Sequence, residues 1–285
     1  MLPKTHMRFK DQVAIVTGGS EGIGYGISEK LALEGAKVYL VARTMEKLEK
    51  ARQKILDKGG RAEVYSASIT DFLDMTRIID EVYDKEKRLD IFVNNAGTYK
   101  PVSFGDEDSI DNFKHLAELD FLAPSMISMY LVRKFMKTRE ELKILTISSQ
   151  AAIKLFENGV GYGTAKKALS SFLFEMENQL NIEGIENIKL YRLYPGTVAT
   201  EAMLPLIKKG ILQNPTTLES VVDAAVDLLL NITKTRDLEI KYVPDGPVKG
   251  INRRYLKFNP EDFSLLPLAS VEVVDADFDP SHLLD

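Results

Sequence analysis

Residues Val13 to Thr17 read VAIVT, a short apolar and β-branched run, and the seven residues after it read GGSEGIG. An amphipathic stretch from Ile23 to Leu33 follows at once. A continuous apolar run of this length suits a strand buried on both faces, as in a parallel sheet covered by helices. Strand, glycine-rich turn and helix in direct succession leave few folds open, because parallel strands need a crossover helix between them. Gly18 permits the tight turn, Gly22 lets backbone approach a pyrophosphate at the helix N-terminus, and Gly24 allows close packing of helix on strand. Ser20, Glu21 and Ile23 complete the turn. A glycine pattern alone is equally a plain turn; the strand before this one and the helix after it favour a nucleotide-phosphate site.

The rest of the chain keeps the alternation. Strands are predicted at Lys37–Ala42, Arg61–Ser66, Leu89–Val93, Lys143–Ile147, Ile188–Leu193 and Leu238–Val243. Helices are predicted at Met45–Lys58, with Leu48, Ile55 and Leu56 inward, and at Asp71–Lys87, Tyr162 to about Leu180, and Leu218–Leu230. Ile110–Lys137 reads as mostly helical, bent or restarted at Pro124. The pattern predicts an α/β fold: one doubly wound, Rossmann-type parallel sheet with helices on both faces, and ligands at the carboxyl ends of the strands. Residues 1–247 form that domain, with a lid over about 201–215, and 248–285 form a C-terminal extension. Met203, Leu204, Leu206, Ile207, Ile211 and Leu212 make the lid apolar. The final stretch VEVVDADFDPSHLLD is acidic and reads as a mobile or partner-covering tail.

Charge and composition exclude several classes. The net charge is −5, with no basic stripe of the kind nucleic-acid binding needs. No apolar run reaches the roughly 18 residues of a membrane span, and MLPKTHMRFKDQ lacks the apolar segment of a secretion signal. The absence of cysteine removes disulfides, thiol nucleophiles and thiolate metal sites. His6, His115 and His282 are scattered, so no metal site is expected. A cytoplasmic enzyme is the default expectation.

The second informative stretch is KILTISSQAAIKLFENGVGYGTAKKALSS, Lys143 to Ser171. Tyr162 and Lys166 are four apart and share a helix face. An ammonium beside a phenol stabilises the phenolate, which suits proton transfer. The spacing alone is weak: Tyr83 with Lys87 and Tyr130 with Lys134 repeat it on what read as ordinary helix surfaces. Tyr162 differs in its surroundings. Ser149 stands at the end of a predicted strand, thirteen residues upstream, and the small Gly161, Gly163, Thr164 and Ala165 let a flat ligand approach.

Written from Thr17 the glycine turn is TGxxxGxG, and with NNAG at Asn94–Gly97 and the Ser149, Tyr162, Lys166 set it resembles the short-chain dehydrogenase/reductase family from about Lys10 to Asp245. The resemblance implies an oxidoreductase moving a hydride between a nicotinamide cofactor and a carbonyl or secondary alcohol. It implies Tyr162 as general acid/base, Lys166 on Tyr162 and the nicotinamide ribose, and Ser149 on the substrate oxygen. It places Ser68 and Ile69 near adenine, Asn95, Ala96 and Gly97 at the adenine–ribose site, and Pro195, Gly196, Val198 and Thr200 against the nicotinamide and phosphate. Ala42 and Arg43 follow the second strand where an acidic residue would favour NAD(H); an arginine fork suits a 2′-phosphate. NADP(H) is therefore the favoured cofactor and NAD(H) the alternative, with Glu21 in the turn counting against NADP(H).

The family carries an asparagine where this chain has Asp120, so the proton relay joined to Lys166 is put in question. That leaves a second class open: a dinucleotide-binding sensor or scaffold with weak or no catalysis. The resemblance also implies a homodimer or homotetramer built on the Tyr162 helix and the long helix before it. VARTMEKL and ISSQAA are similar to 3-ketodihydrosphingosine reductases, and an apolar lid suits an oily substrate; steroid, sugar, acyl-thioester and xenobiotic carbonyls stay open.

Overall fold

The computed structural model describes residues 7–155, 157, 159–209, 215–231, 236–241, 252–256 and 271–274. Those residues build a nine-stranded sheet in the order β3-β2-β1-β4-β5-β6-β7-β8-β9. The strands are β1 (Val13–Thr17), β2 (Lys37–Ala42), β3 (Arg61–Ser66), β4 (Ile91–Asn94), β5 (Leu142–Ile147), β6 (Ile188–Pro195), β7 (Asp237–Lys241), β8 (Asn252–Leu256) and β9 (Val271–Val274). From β3 to β7 every pairing is parallel; β8 and β9 add antiparallel strands at one edge.

All five residues of β1 are buried. Successive side chains of a strand point to opposite faces, and β1 feeds a separate core with each. Ala14 and Val16 pack with Ile27 and Leu31 of α1 (Gly22–Leu33), Leu48 and Ile55 of α2 (Met45–Asp57) and Val221 of α8 (Leu218–Leu229). Val13 and Ile15 pack with Ile78 and Ile79 of α3 (Phe72–Glu86), Ile127 and Leu131 of α5 (Ala123–Phe135) and Leu180 of α6 (Tyr162–Ile182). Helices thus cover both faces, which satisfies strands with no polar side. The strand order reverses between β1 and β4, and in such sheets the crevice beyond the carboxyl ends at that point is the ligand position.

The sequence expectations need two corrections, and a third expectation, the helical 110–137 region restarted at Pro124, is seen in finer detail. Leu56 is exposed at 37%, and the buried face of α2 runs Leu48, Ala51, Ile55, steps of three and four that place Leu56 a further 100° round the helix. Val271–Val274, read as part of a mobile tail, forms β9 against β8; its three valines are strand-forming residues. The 110–137 region is α4 (Ser109–Ala117), a π-helical segment (Glu118–Leu122) and then α5, with Pro124 in the first turn of α5. Proline lacks the N–H that would continue the helical ladder, and it falls at the junction where the π-helical segment gives way to α5. In the lid region, α7 (Leu204–Lys208) has no buried residue, and Ile211 and Leu212 lie outside the described residues. So do His6, His282, the 247/248 boundary and 275–285.

Candidate active site

The turn after β1 is bound to the end of β4. Thr17 Oγ1 donates to Val93 O and accepts from the Asn95 and Ala96 amides at 3.0 and 3.1 Å. Asn95 Nδ2 donates to Thr17 O at 2.9 Å. Gly18 has φ +63 and Gly22 φ +57, the left-handed region that glycine enters without strain. A β-carbon on Gly24 would run into Gly18 O and the Asn95 side chain. Gly24 is therefore a packing glycine, and its neighbours are not a strand but the turn itself and Asn95, just beyond β4.

Around this knot lies a cleft of about 450 Å³. Gly18, Ser20, Glu21 and Ile23 line it from the turn, Arg43 from the end of β2, and Ser68 and Ile69 from the end of β3. Asn95, Ala96 and Gly97 line it from the end of β4, and Thr200 reaches it from beyond β6. Gly22 and Gly24, on the predicted list, are not on its wall; they shape the turn behind it. Lys47, Thr98, His115 and Leu119 line the cleft without having been singled out. Lys47 Nζ lies 2.8 Å from Glu21 Oε2, so a cation from α2 offsets the carboxylate that counted against a phosphate here. No sequence signal marks His115; it arrives on α4 through the tertiary fold.

A second cavity of about 180 Å³ adjoins the first, sharing Ile23, Asn95, Gly97 and Thr98. Ser149, Tyr162, Lys166 and Asp120 all line it, with Pro195, Gly196 and Val198 from the end of β6. The fold thus brings together the hydroxyl, phenol, ammonium and carboxylate that the sequence holds up to 46 positions apart. Ser148 Oγ sits 3.0 Å from Ser170 Oγ and ties β5 to α6. Ser149 caps a 3₁₀ turn, Gln150–Ala152, accepting from the Ala151 amide at 3.1 Å. Tyr162 is the first residue of α6, and Gly161 before it presses on Val102 and Leu116, where a β-carbon would not fit.

Asp120 is wholly buried, and its Oδ1 lies 3.0 Å from Lys166 Nζ, itself 6% exposed. The carboxylate also accepts from the Thr98 amide at 3.3 Å. A β-carbon on Gly97 would run into this carboxylate. The glycine of NNAG is thereby explained: it clears space for Asp120. Lys166 Nζ stands 5.6 Å from the centre of the Tyr162 ring. Burial pulls the Lys166 pKa down, but Asp120 and Tyr162 outweigh it and hold it above the ordinary lysine value. The ammonium is therefore charged across the neutral range.

Tyr99 was not anticipated either. Its ring meets Tyr162 edge-on at 5.4 Å and 89°, and it lines the same cavity. Burial, with Tyr162 and Glu157 behind it, raises its pKa. The two decoy pairs are structural: Tyr130 and Lys134 both bind Asp80, clipping α5 to α3, and Tyr83 bonds Glu140.

A family model described as short chain dehydrogenase matches residues 12–209. The 11-beta-hydroxysteroid dehydrogenase-like 2 of Arabidopsis thaliana is 29% identical over 208 residues, 72% of this chain and 66% of that protein. A fatty acyl-CoA reductase of Acinetobacter baylyi is 27% identical over 222 residues, 72% of this chain and 75% of that one. Among solved structures, a 7 alpha-hydroxysteroid dehydrogenase complexed with NADH and 7-oxo glycochenodeoxycholic acid superposes with a TM-score of 0.70 at 26% identity, covering 80% of this chain and 91% of that chain.

Proposed function

The chain belongs to the short chain dehydrogenase family of nicotinamide-dependent oxidoreductases, and from that premise we propose that it interconverts an apolar ketone and its secondary alcohol with NADP(H). The carrying observation is that Ser149, Tyr162 and Lys166 share one cavity, continuous with the cleft that holds the glycine turn and Arg43. The turn fits a dinucleotide: backbone in left-handed conformation at a helix N-terminus and two adjoining cavities along one sheet edge. Arg43 and Lys47 at the far end suit a 2′-phosphate over a bare hydroxyl. NAD(H) is the alternative, favoured by the NADH in the similar hydroxysteroid dehydrogenase.

The cofactor, when bound, supplies or takes the hydride. In the reducing direction Tyr162 gives its phenolic proton to the substrate oxygen as charge develops there. The Lys166 ammonium faces the phenolate left behind. Asp120 keeps that ammonium charged and also offsets part of its field at Tyr162. Ser149 already accepts from the Ala151 amide, which leaves its own O–H to donate to the substrate oxygen.

An apolar substrate is supported from two sides. The similar proteins are named for steroids and a fatty acyl thioester. In this chain Tyr99, edge-on to Tyr162, is exposed, as are Val160 just before Tyr162 and Phe104, Leu155 and Leu204 on the connecting segments. Exposed Met126 and Met129 on α5 and Ile182 on α6 suit a homodimer or homotetramer, which light scattering would read as mass. The family and its relatives speak for an enzyme over a non-catalytic sensor.

The test is reduction of a panel of ketones with NADPH, 2-decalone, a 3-oxo steroid and a long-chain 3-oxo ester among them. Tyr162→Phe is expected to lower kcat about 10²–10⁴-fold. Full turnover in that variant would remove the assignment.

A further inference from the structure

Lys167 follows Lys166 on α6 but turns to the other side. Its Nζ donates to Ala151 O at 2.6 Å and to Lys154 O at 3.1 Å. No carboxylate pairs with it among the described residues, and burial pulls its pKa down. A half-buried ammonium held only by main-chain carbonyls is an unusual use of a lysine. Charged donors are usually matched by carboxylates, and a cation on the last carbonyls of a helical turn serves to fix that turn.

The turn it fixes is the one that follows Ser149. Ala151 lies within the 3₁₀ turn Gln150–Ala152, and Lys154 lies just beyond it. The amide of that same Ala151 donates to Ser149 Oγ at 3.1 Å. An unbroken path therefore runs from Lys167 Nζ to Ala151 and from Ala151 to the Ser149 hydroxyl. The other side of the turn is held by Gln150, whose side chain packs against Gly196. Lys167 stands about 1.4 helical turns from Tyr162 on the same helix.

We infer that Lys167 is a positioning residue: it clips the Ser149 turn to the Tyr162 helix and so sets the spacing of the two hydroxyls that meet the substrate oxygen. The inference rests on the roles proposed above for Ser149 and Tyr162. It adds that the loop of twelve residues between them is not free to set that spacing by itself. Misplacing a reacting group by about 1 Å costs on the order of 10²-fold in rate, so a clip of this kind acts on kcat and leaves dinucleotide binding alone.

The experiment is a double-mutant cycle on kcat, using Lys167→Met and Ser149→Ala separately and together, with NADPH and the panel ketone that the wild-type protein reduces. Lys167→Met is expected to lower kcat about 10- to 100-fold while the NADPH dissociation constant stays within twofold. In the Ser149→Ala background the same change is expected to cost less than twofold, because the group being positioned is gone. Lys167→Arg keeps a cationic donor and is expected to recover most of the loss; it also serves if the methionine variant does not fold. Independently of any substrate, amide hydrogen exchange of the 149–155 segment is expected to quicken in Lys167→Met and not in Lys167→Arg. Equal losses in both Ser149 backgrounds, or unchanged exchange in that segment, would overturn the inference while leaving the roles of Ser149 and Tyr162 standing. Full turnover by Ser149→Ala would instead remove the role of Ser149, and the inference with it.

Discussion

Asp120 and Lys166 carry the sharpest consequence at the scale of single residues. A wholly buried carboxylate is costly unless it is paired and hydrogen-bonded, and Lys166 and the Thr98 amide meet both needs. The lysine pKa is raised in the folded protein. Such a group contributes stability that is present below the ordinary lysine range and is lost as pH rises through the raised value. In Asp120→Asn the main upward influence is gone and burial remains, so the ammonium is expected to deprotonate at lower pH. The alkaline limb of the kcat profile should move toward neutrality; a profile superimposable on the wild type would argue against the coupling. Gly97→Ala is expected to disturb the same pair sterically, lowering kcat and the thermal midpoint together. The sequence marked Asp120 as a departure beside Lys166, but its complete burial and the 3.0 Å contact needed the fold: it lies buried in the π-helical segment of 118–122.

Among elements, α6 is held by several polar ties. Ser170 bonds Ser148, and Glu177 holds both Arg192 of β6, at 2.6 Å, and Arg236. Burial raises the Glu177 pKa, but the two arginines outweigh it and hold the carboxyl below its usual range. Its contribution is therefore present above the ordinary carboxylate range and lost as pH falls from there through the lowered value. Glu177→Ala removes one partner of a buried pair and is expected to cost about 3–5 kcal/mol in urea unfolding. Leu131→Ala, in the core between α5 and the sheet, is expected to cost about 2–5 kcal/mol. Helices with strong apolar periodicity were legible in the sequence to within a few residues. The inward face of α2 was assigned one residue too wide, because Leu56 is apolar yet lies past the buried arc.

At the scale of the whole molecule, the two adjoining cavities among the described residues lie along one edge, at the carboxyl ends of β1 to β6. A dinucleotide that binds only the folded chain stabilises it by about 2.7 kcal/mol at a hundred times its dissociation constant. NADPH is expected to raise the thermal midpoint more than NADH at equal concentration. In Arg43→Ala that difference should shrink, with NADH little affected. Equal shifts in the wild-type protein would mean that Arg43 and Lys47 meet solvent and not a phosphate.

Local pattern was enough for much of this. An apolar run followed by GGSEGIG and a helix fixes a parallel α/β sheet, because each local choice admits few alternatives, and TGxxxGxG, NNAG and the Ser149, Tyr162, Lys166 set follow chain order closely enough to be read by eye. Only the tertiary structure decided which side chains meet. Lys47 neutralising Glu21, Tyr99 edge-on to Tyr162, Gly97 making room for Asp120, and Lys167 gripping the turn after Ser149 join residues whose distances depend on how separate elements pack. Periodicity records which face of an element is buried; it carries no information about what lies across the gap.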